Sequence, residues 1–296
     1  MSRALHALVA SVLMMATLTA AQQPTFRAGV SVVRIDVLAT DNGRPIPNLT
    51  ANDFEVLDNG KPQQVGSVMG DAEPLDVLFT FDRSASTRGE TMMRLRESAS
   101  ALLDALDADD HAGLLTFNHR FQLAVPLGSK ADVARALSAM EPDGSTALLD
   151  ASAIALALTA ASSGRTLVLL FTDGVDTLSW LPERTVLETA RSSEAVLYAV
   201  TVPDNPRAGQ PLMGDDAQLR RLAEATGGRL LRANAASQLR ERFIEVLREM
   251  RARYVISYTP SDGEAPGWHA LSVRLKTHKG RVASRAGYVV PNVDQP

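Results

Sequence analysis

The chain has no cysteine among its 296 residues. That absence excludes structural disulfides, thiolate-bound zinc, thiol catalysis and a lipid-modified N-terminal cysteine, so any metal must sit on oxygen or imidazole. Aromatic residues are scarce at 5%, and neither sign of charge dominates: 30 Lys and Arg face 34 Asp and Glu, a formal net charge of −4. Such a balance offers no overall attraction to nucleic acid or anionic lipid and argues against a polyanion-binding role. Long uncharged runs are also missing after the first residues, so nothing later in the sequence reads as a membrane span. What is present is an ordinary globular composition, 45% hydrophobic and 22% charged. A chain of this length buries a core without cross-links.

The N-terminus is the exception. Arg3 and His6 precede an Ala-, Leu-, Val- and Met-rich run from Ala7 to Ala21, which ends in Thr19-Ala20-Ala21 before Gln22-Gln23-Pro24. This reads as a secretory signal peptide cleaved near Ala21. The run is shorter than the roughly 20 residues of a spanning helix. The expectation is a secreted or periplasmic protein with no stable membrane span after cleavage; an uncleaved signal anchor is the alternative.

Three regions then follow, separated by their hydrophobic period. From Val30 to Asp76 the period is two: Val33, Ile35 and Val37 alternate with Arg34, Asp36 and Leu38, and Phe54 and Val56 flank Glu55. Two Asp-Asn-Gly segments, Asp41-Asn42-Gly43 and Asp58-Asn59-Gly60, supply residues that accept positive φ, so hairpins are expected. From Leu75 to Arg253, continuous apolar runs at Leu75–Phe81, Gly113–Phe117, Thr166–Phe171 and Ala195–Val202 alternate with helical periodicity. Met92, Leu95, Ala99, Leu102, Leu103 and Leu106 share one helix face; Leu239, Phe243, Val246, Leu247 and Met250 share another; Thr146–Ser162 is nearly all apolar and should be the most buried helix. This alternation predicts an α/β fold with a doubly wound, mostly parallel sheet. Phe121–Val125 follows the preceding strand too closely for a helical crossover and should be an antiparallel edge strand.

Beyond Tyr254 the period returns to two, through Tyr254–Thr259, Leu271–Lys276 and a candidate strand at Arg281–Val290. Neither β-rich end is long enough for a core of its own. The two ends are therefore expected to pair into a small β-sandwich: residues 1–21 a signal peptide, 22–73 an N-terminal β segment, 74–253 the α/β domain and 254–296 the C-terminal β segment.

Chemistry gathers at three loops: Phe81-Asp82-Arg83-Ser84-Ala85-Ser86, Asp143-Gly144-Ser145-Thr146 and Phe171-Thr172-Asp173-Gly174. In open parallel sheets ligand sites form beyond the carboxyl ends of the strands, where two of these loops fall. Two carboxylates and three hydroxyls are hard oxygen donors that suit Mg²⁺ or Mn²⁺. Each residue alone is an ordinary turn former or N-cap; the set in strand–loop–helix context is the signal.

These residues resemble the metal-ion-dependent adhesion site of the von Willebrand factor A domain. Asp82, Ser84 and Ser86 match its Asp-x-Ser-x-Ser, Thr146 its loop threonine, and Asp173 the Asp of its Thr-Asp-Gly segment. The likeness covers about 74–253, and the flanking β segments look similar to those of secreted acidobacterial proteins. It implies a divalent cation held by Asp82, Ser84, Ser86, Thr146 and Asp173, directly or through water, with the Asp or Glu of a partner protein filling an open position. Ala85 stands where many members carry Gly, a small change. Arg83 and Arg88 at the rim favour an anionic partner.

On this reading the protein is a binder, not an enzyme. The alternatives are a Mg²⁺-dependent phosphoryl-transfer enzyme with Asp82 as nucleophile and a metal-free scaffold. The first usually wants a second Asp where Ser84 stands, and no Lys lies in the three loops. Asp143 and Asp176 are assigned to turns or an outer position. His111, His119, His269 and His278 are read as structural, the last two on C-terminal strands. Glu249 and Arg253, spaced i, i+4, read as a solvated pair, and Tyr254, Tyr258 and Trp268 as sandwich core.

Overall fold

Alternating side chains give the first strand of the structure, a computed structural model that describes residues 32–70, 73–160, 162, 164–202, 215–261 and 265–292. The expected signal peptide and its cleavage point lie outside the described residues. Strand β1 (Val33–Asp41) buries Val33, Ile35 and Val37 and turns at Asn42 and Gly43, φ 49° and 77°, into β2 (Arg44–Pro45). The same two-residue device, Asn59 and Gly60 at φ 48° and 79°, joins β3 (Phe54–Asp58) to β4 (Lys61–Gln63). Positive φ at both central positions matches the turn to the strand twist. β5 (Val65–Met69) follows.

The apolar runs form the central strands. β6 (Leu75–Asp82) leads through helix α1 (Glu90–Asp104) to β7 (His111–Phe117), which pairs with the antiparallel β8 (Phe121–Gly128). Helices α2 (Lys130–Ser138) and α3 (Leu148–Thr159) precede β9 (Arg165–Thr172), and α4 (Glu183–Ser192) precedes β10 (Val196–Thr201). After α5 (Asp215–Ala225) come the short β11 (Leu230–Arg232) and α6 (Leu239–Arg251). The sheet order is β11-β10-β9-β6-β7-β8; every neighbouring pair is parallel except β7 with β8. One apolar cluster joins this sheet to α1, α2 and α6, and a second joins it to α3, α4 and α5, so helices cover both faces. α3 buries nine of its twelve residues, as an all-round apolar helix must.

The chain ends return to strands: β12 (Tyr254–Tyr258), β13 (Gly267–Leu275), β14 (Arg281–Ala283) and β15 (Gly287–Val290). One sheet runs β14-β1-β12-β5 with β2 beside β1, the other β15-β13-β3-β4. Each mixes strands from both ends, and the two share a cluster that includes Ile35, Phe54, Ile256 and Tyr288.

Several expectations need correction. Glu249 and Arg253 are not a solvated pair: α6 stops at Arg251, Arg253 is 1% exposed, and its Nη2 donates to the Tyr198 hydroxyl at 3.0 Å. Glu249 instead pairs with Arg229. Trp268 is 41% exposed, because the alternation that turns His269, Leu271 and Val273 inward turns it outward; Arg191 lies 5.9 Å from its ring. His278 lies in the turn between β13 and β14, not on a strand, and Arg281–Val290 splits into two strands in different sheets.

Candidate metal centre

β6 lies between β7 and β9, buried at every position but the half-buried Asp76, and its last residue is Asp82, 0% exposed. A carboxylate there needs donors. Oδ1 accepts the Ser84 N–H at 2.7 Å and Oδ2 the Thr172 hydroxyl at 2.7 Å. Burial pushes the carboxyl above its ordinary range, and the hydrogen bonds from Thr172 and Ser84 only partly oppose this.

The chain then turns through a short 3-10 segment, Ala85–Thr87, which brings two hydroxyls together. Ser84 Oγ and Ser86 Oγ are 2.9 Å apart, and Ser86 Oγ donates to Asp173 Oδ1 at 2.8 Å. Ser84 and Asp173 are buried, whereas Ser86 faces solvent. The loop before α3 is stitched alongside: Asp143 N–H donates to Arg83 O at 2.8 Å and Ala85 N–H to Gly144 O at 2.9 Å. Gly144 sits at φ 74°, where a side chain is strained, and a Cβ there would fall 2.0 Å from His119 Nδ1 and displace that ring.

This stitching carries Thr146 to the other two loops. A Cβ on Gly174 would meet Ser86 Oγ at 3.5 Å and Thr146 Oγ1 at 3.6 Å, so both hydroxyls border the hollow over that glycine. The five residues picked from the sequence are therefore brought to one place, two carboxylates and three hydroxyls at the carboxyl ends of β6 and β9 and the start of α3. Among the described residues no three His, Asp or Glu side chains converge. Two carboxylates and three hydroxyls are hard oxygen donors, which fit Mg²⁺ or Mn²⁺ and do not fit a soft metal.

The neighbouring acids do other work. Asp176 Oδ1 accepts from Leu148 N–H and Ser179 N–H, each at 3.2 Å, and so caps α3. Asp143 is exposed and contributes its carbonyl, which accepts from Asn118 Nδ2 at 2.6 Å. Arg83 is half-buried and Arg88 exposed, with Arg88 Nη2 donating to Pro142 O at 3.3 Å. Sequence reasoning missed Thr172 and Asn118. Thr172 stood inside the Phe-Thr-Asp-Gly segment, one residue before a chosen ligand. Asn118, 1% exposed, also accepts Ala147 N–H on its carbonyl and had no local signal beyond following a strand.

The model of the von Willebrand factor type A domain matches residues 76–243, from β6 into α6. The chain belongs to this family. A von Willebrand factor type A protein from Catenulispora acidiphila is 14% identical, covering 86% of this chain and 76% of that one at a TM-score of 0.53. Proximal thread matrix protein 1 of the mussel byssus is 18% identical, covering 64% of this chain and 48% of the other at 0.50. A mutant PilB minor pilin of Streptococcus sanguinis is 12% identical, covering 61% and 62% at 0.50. At such identities the likeness shows the von Willebrand factor A fold alone. An uncharacterised protein of Synechocystis sp. is 27% identical over 78 residues, 25% of this chain. The chain matches only 19% of the length of that curated relative.

Proposed function

We propose that this von Willebrand factor A domain captures a protein partner through a divalent cation, Mg²⁺ or Mn²⁺, held by Asp82, Ser84, Ser86, Thr146 and Asp173. The observation that carries the reading is the unbroken contact path from the buried Asp82 through Ser84 and Ser86 to Asp173, with Thr146 beside it. A bound cation with these ligands keeps residual positive charge at the surface, for which the Asp or Glu of a partner is the matching ligand. The protein's own residues divide the work. Asp82, with both oxygens engaged, fixes Ser84 from below; Ser86 holds Asp173 at the solvent edge; Thr177 and Leu178 N–H groups, on Thr146 O at 2.9 and 3.0 Å, fix the loop that carries the third hydroxyl.

Domains of this family are typically adhesion modules and not enzymes. The phosphoryl-transfer alternative usually wants a second Asp where Ser84 stands and a Lys to balance the transferred phosphate, and the three loops hold neither. In our reading the domain at 74–253 is a doubly wound sheet, the segments at 22–73 and 254–296 form the β-sandwich that mounts it, and export follows removal of a signal peptide near Ala21. Among the described residues no helix is long and apolar enough to cross a membrane.

Calorimetric titration of Mg²⁺ and Mn²⁺ into wild type and Asp173→Ala tests the assignment. We expect saturable uptake by wild type only, with unchanged melting of the metal-free proteins. Equal uptake by both would remove Asp173 from the site, and no uptake by wild type would leave a metal-free scaffold.

A further inference from the structure

The loop after Asp173 holds three apolar side chains out in water: Val175 is 60% exposed, Leu178 47% and Trp180 93%. Exposed single apolar residues are common, but an indole almost wholly in solvent on a tethered backbone is not. This loop is tethered at nearly every step. Thr177 and Leu178 bond to Thr146 O, and Asp176 Oδ1 holds Ser179 N–H. Ser179 Oγ accepts Leu149 and Asp150 N–H at 3.0 and 3.2 Å, and the Asp150 carboxylate accepts Trp180 N–H at 3.0 Å and Leu181 N–H at 2.9 Å. Leu181 is turned in against the α3 side of the core, while its neighbour Trp180 is turned out. Such a backbone fixes where the Trp180 side chain leaves the surface, which lowers the ordering cost of binding.

The tethers also set this apolar group beside the proposed cation site. Val175 is two residues from Asp173, and Leu178 is bonded through its backbone to Thr146. Across the cluster two arginines lie at the rim beside the exposed Asp143: Arg88 is exposed, and the buried Nε of Arg83 meets no hydrogen-bond partner among the described residues. We propose that Val175, Leu178 and Trp180 form the apolar half of a docking surface whose polar half is the cation site. Its occupant is an extended segment of a partner protein that carries an acidic side chain with an apolar or aromatic side chain within a few residues of it. The acid is drawn by the cation and the Arg83–Arg88 rim, and the apolar neighbour is covered by the indole, the kind of residue that dominates binding hot spots. This inference rests on the cation-dependent capture proposed above.

The test pans the full chain against a random peptide library displayed on phage, once with Mg²⁺ and once with chelator, then measures the selected peptides by fluorescence anisotropy. Peptides recovered only with Mg²⁺ should pair Asp or Glu with a nearby Trp, Phe or Leu. Trp180→Ser should weaken them by roughly tenfold or more, yet leave the melting temperature and calorimetric Mg²⁺ uptake unchanged, whereas Trp268→Phe should leave peptide affinity unchanged. Acidic peptides with no apolar neighbour, chelator-insensitive peptides alone, or equal affinity in Trp180→Ser would overturn the inference while Mg²⁺ uptake stood. Loss of Mg²⁺ uptake in wild type would instead overturn the underlying site. Mg²⁺-dependent self-association in sedimentation that Trp180→Ser abolishes would assign the surface to a second copy and reject the peptide segment.

Discussion

The guanidinium of Arg253 lies against the ring of Tyr198, its carbon 5.6 Å from the ring centroid and its Nη2 donating to the phenolic oxygen at 3.0 Å. The same group donates to Gly227 O and, at 3.4 Å, to Asp36 O. The Tyr198 hydroxyl in turn donates to Glu249 Oε2 at 3.0 Å, and burial pushes the phenol above its ordinary range. One side chain thus joins β10, the turn before β11 and β1. Arg165 does the same nearby, bonding Asp36 through Nε and Nη2 at 3.1 and 3.0 Å and Met250 O at 2.8 Å.

Replacing Arg253 by Met keeps most of the apolar stem and removes the donors. Buried acceptors left without partners cost roughly 1–3 kcal/mol each, so a loss of about 3 kcal/mol is expected in urea unfolding. Arg253→Lys should rescue little of it, because an ammonium cannot span three partners in the fork geometry of a guanidinium. A loss indistinguishable from zero for Arg253→Met would mean that water replaces the donors.

Much of this architecture was legible. Continuous apolar runs marked β6, β7, β9 and β10, and Asn-Gly pairs marked the two hairpins. The candidate site was legible because Asp82, Ser84, Ser86 and Asp173 follow strand ends and Thr146 precedes an apolar helix, and the structure sets these residues side by side. The tertiary partners were not. Arg253 looked like the i+4 neighbour of Glu249 only if α6 continued, and no local spacing reveals that it stops at Arg251 and sends the guanidinium inward. Trp268 differs: counting the alternation back from Leu271 and Val273 puts it on the outer face, so its exposure follows from register and not from size. His269 turns inward onto Asp58, its Nδ1 3.1 Å from Oδ1, a pairing across 211 residues that hydrophobic pattern cannot encode.

A second prediction concerns acid stability. Asp53 closes a capping box with Thr50, accepting its N–H and hydroxyl at 2.8 Å, and also accepts the Thr277 hydroxyl from the far end of the chain. Thr277 first, then Thr50, hold its carboxyl at about 2, against 3.8 for a free aspartate. Because the folded value is depressed, the stabilisation is present above pH 3.8 and is lost as pH falls through 2. Thermal melts across that window should show wild type losing stability on acidification more steeply than Asp53→Asn. Parallel slopes in the two proteins would mean that the carboxylate contributes nothing to the turn.

Asp82 behaves oppositely. Its folded value is raised, so the native state holds the proton more tightly than the unfolded chain, and metal-free stability falls as pH rises through the folded value. Asp82→Asn removes the buried charge yet keeps both contacts: its carbonyl accepts from Ser84, and its amide donates to Thr172, whose hydroxyl turns to the Gly174 carbonyl 3.4 Å away. In chelator at neutral pH the variant should melt at or above wild type, with the gap closing toward pH 3.8. Mg²⁺ should raise the melting temperature of wild type alone. Scanning calorimetry in chelator and in Mg²⁺ reads both effects, and a variant that melts lower in chelator would make Asp82 a structural acceptor.

The last prediction separates the two sets of sheets. β12 lies between β1 and β5, paired to β1 from Val33–Tyr258 through Val37–Tyr254, and β13 is the partner of β3. A chain ending at Arg253 loses β12 to β15 together. β1 then keeps only the two-residue β2 and β5 faces no strand in its sheet, Ile35 and Val37 lose the Ile256 and Tyr254 side of their core, and exposed edges of this kind invite pairing with other chains. The six-stranded sheet, by contrast, keeps all its strands and the helices on both faces. Hydrogen exchange on the truncated protein should therefore show protection lost in 33–69 and kept in β6, β9 and β10, with a lowered melting temperature from the vacated contacts of Arg165 and Arg253. Mg²⁺ uptake should survive, since none of the five proposed ligands lies on the deleted strands or, among the described residues, bonds to them. Retained protection in β1 and β3 would show that the N-terminal strands hold together without their C-terminal partners, and lost protection in β6 and β9 would show that the α/β sheet depends on them.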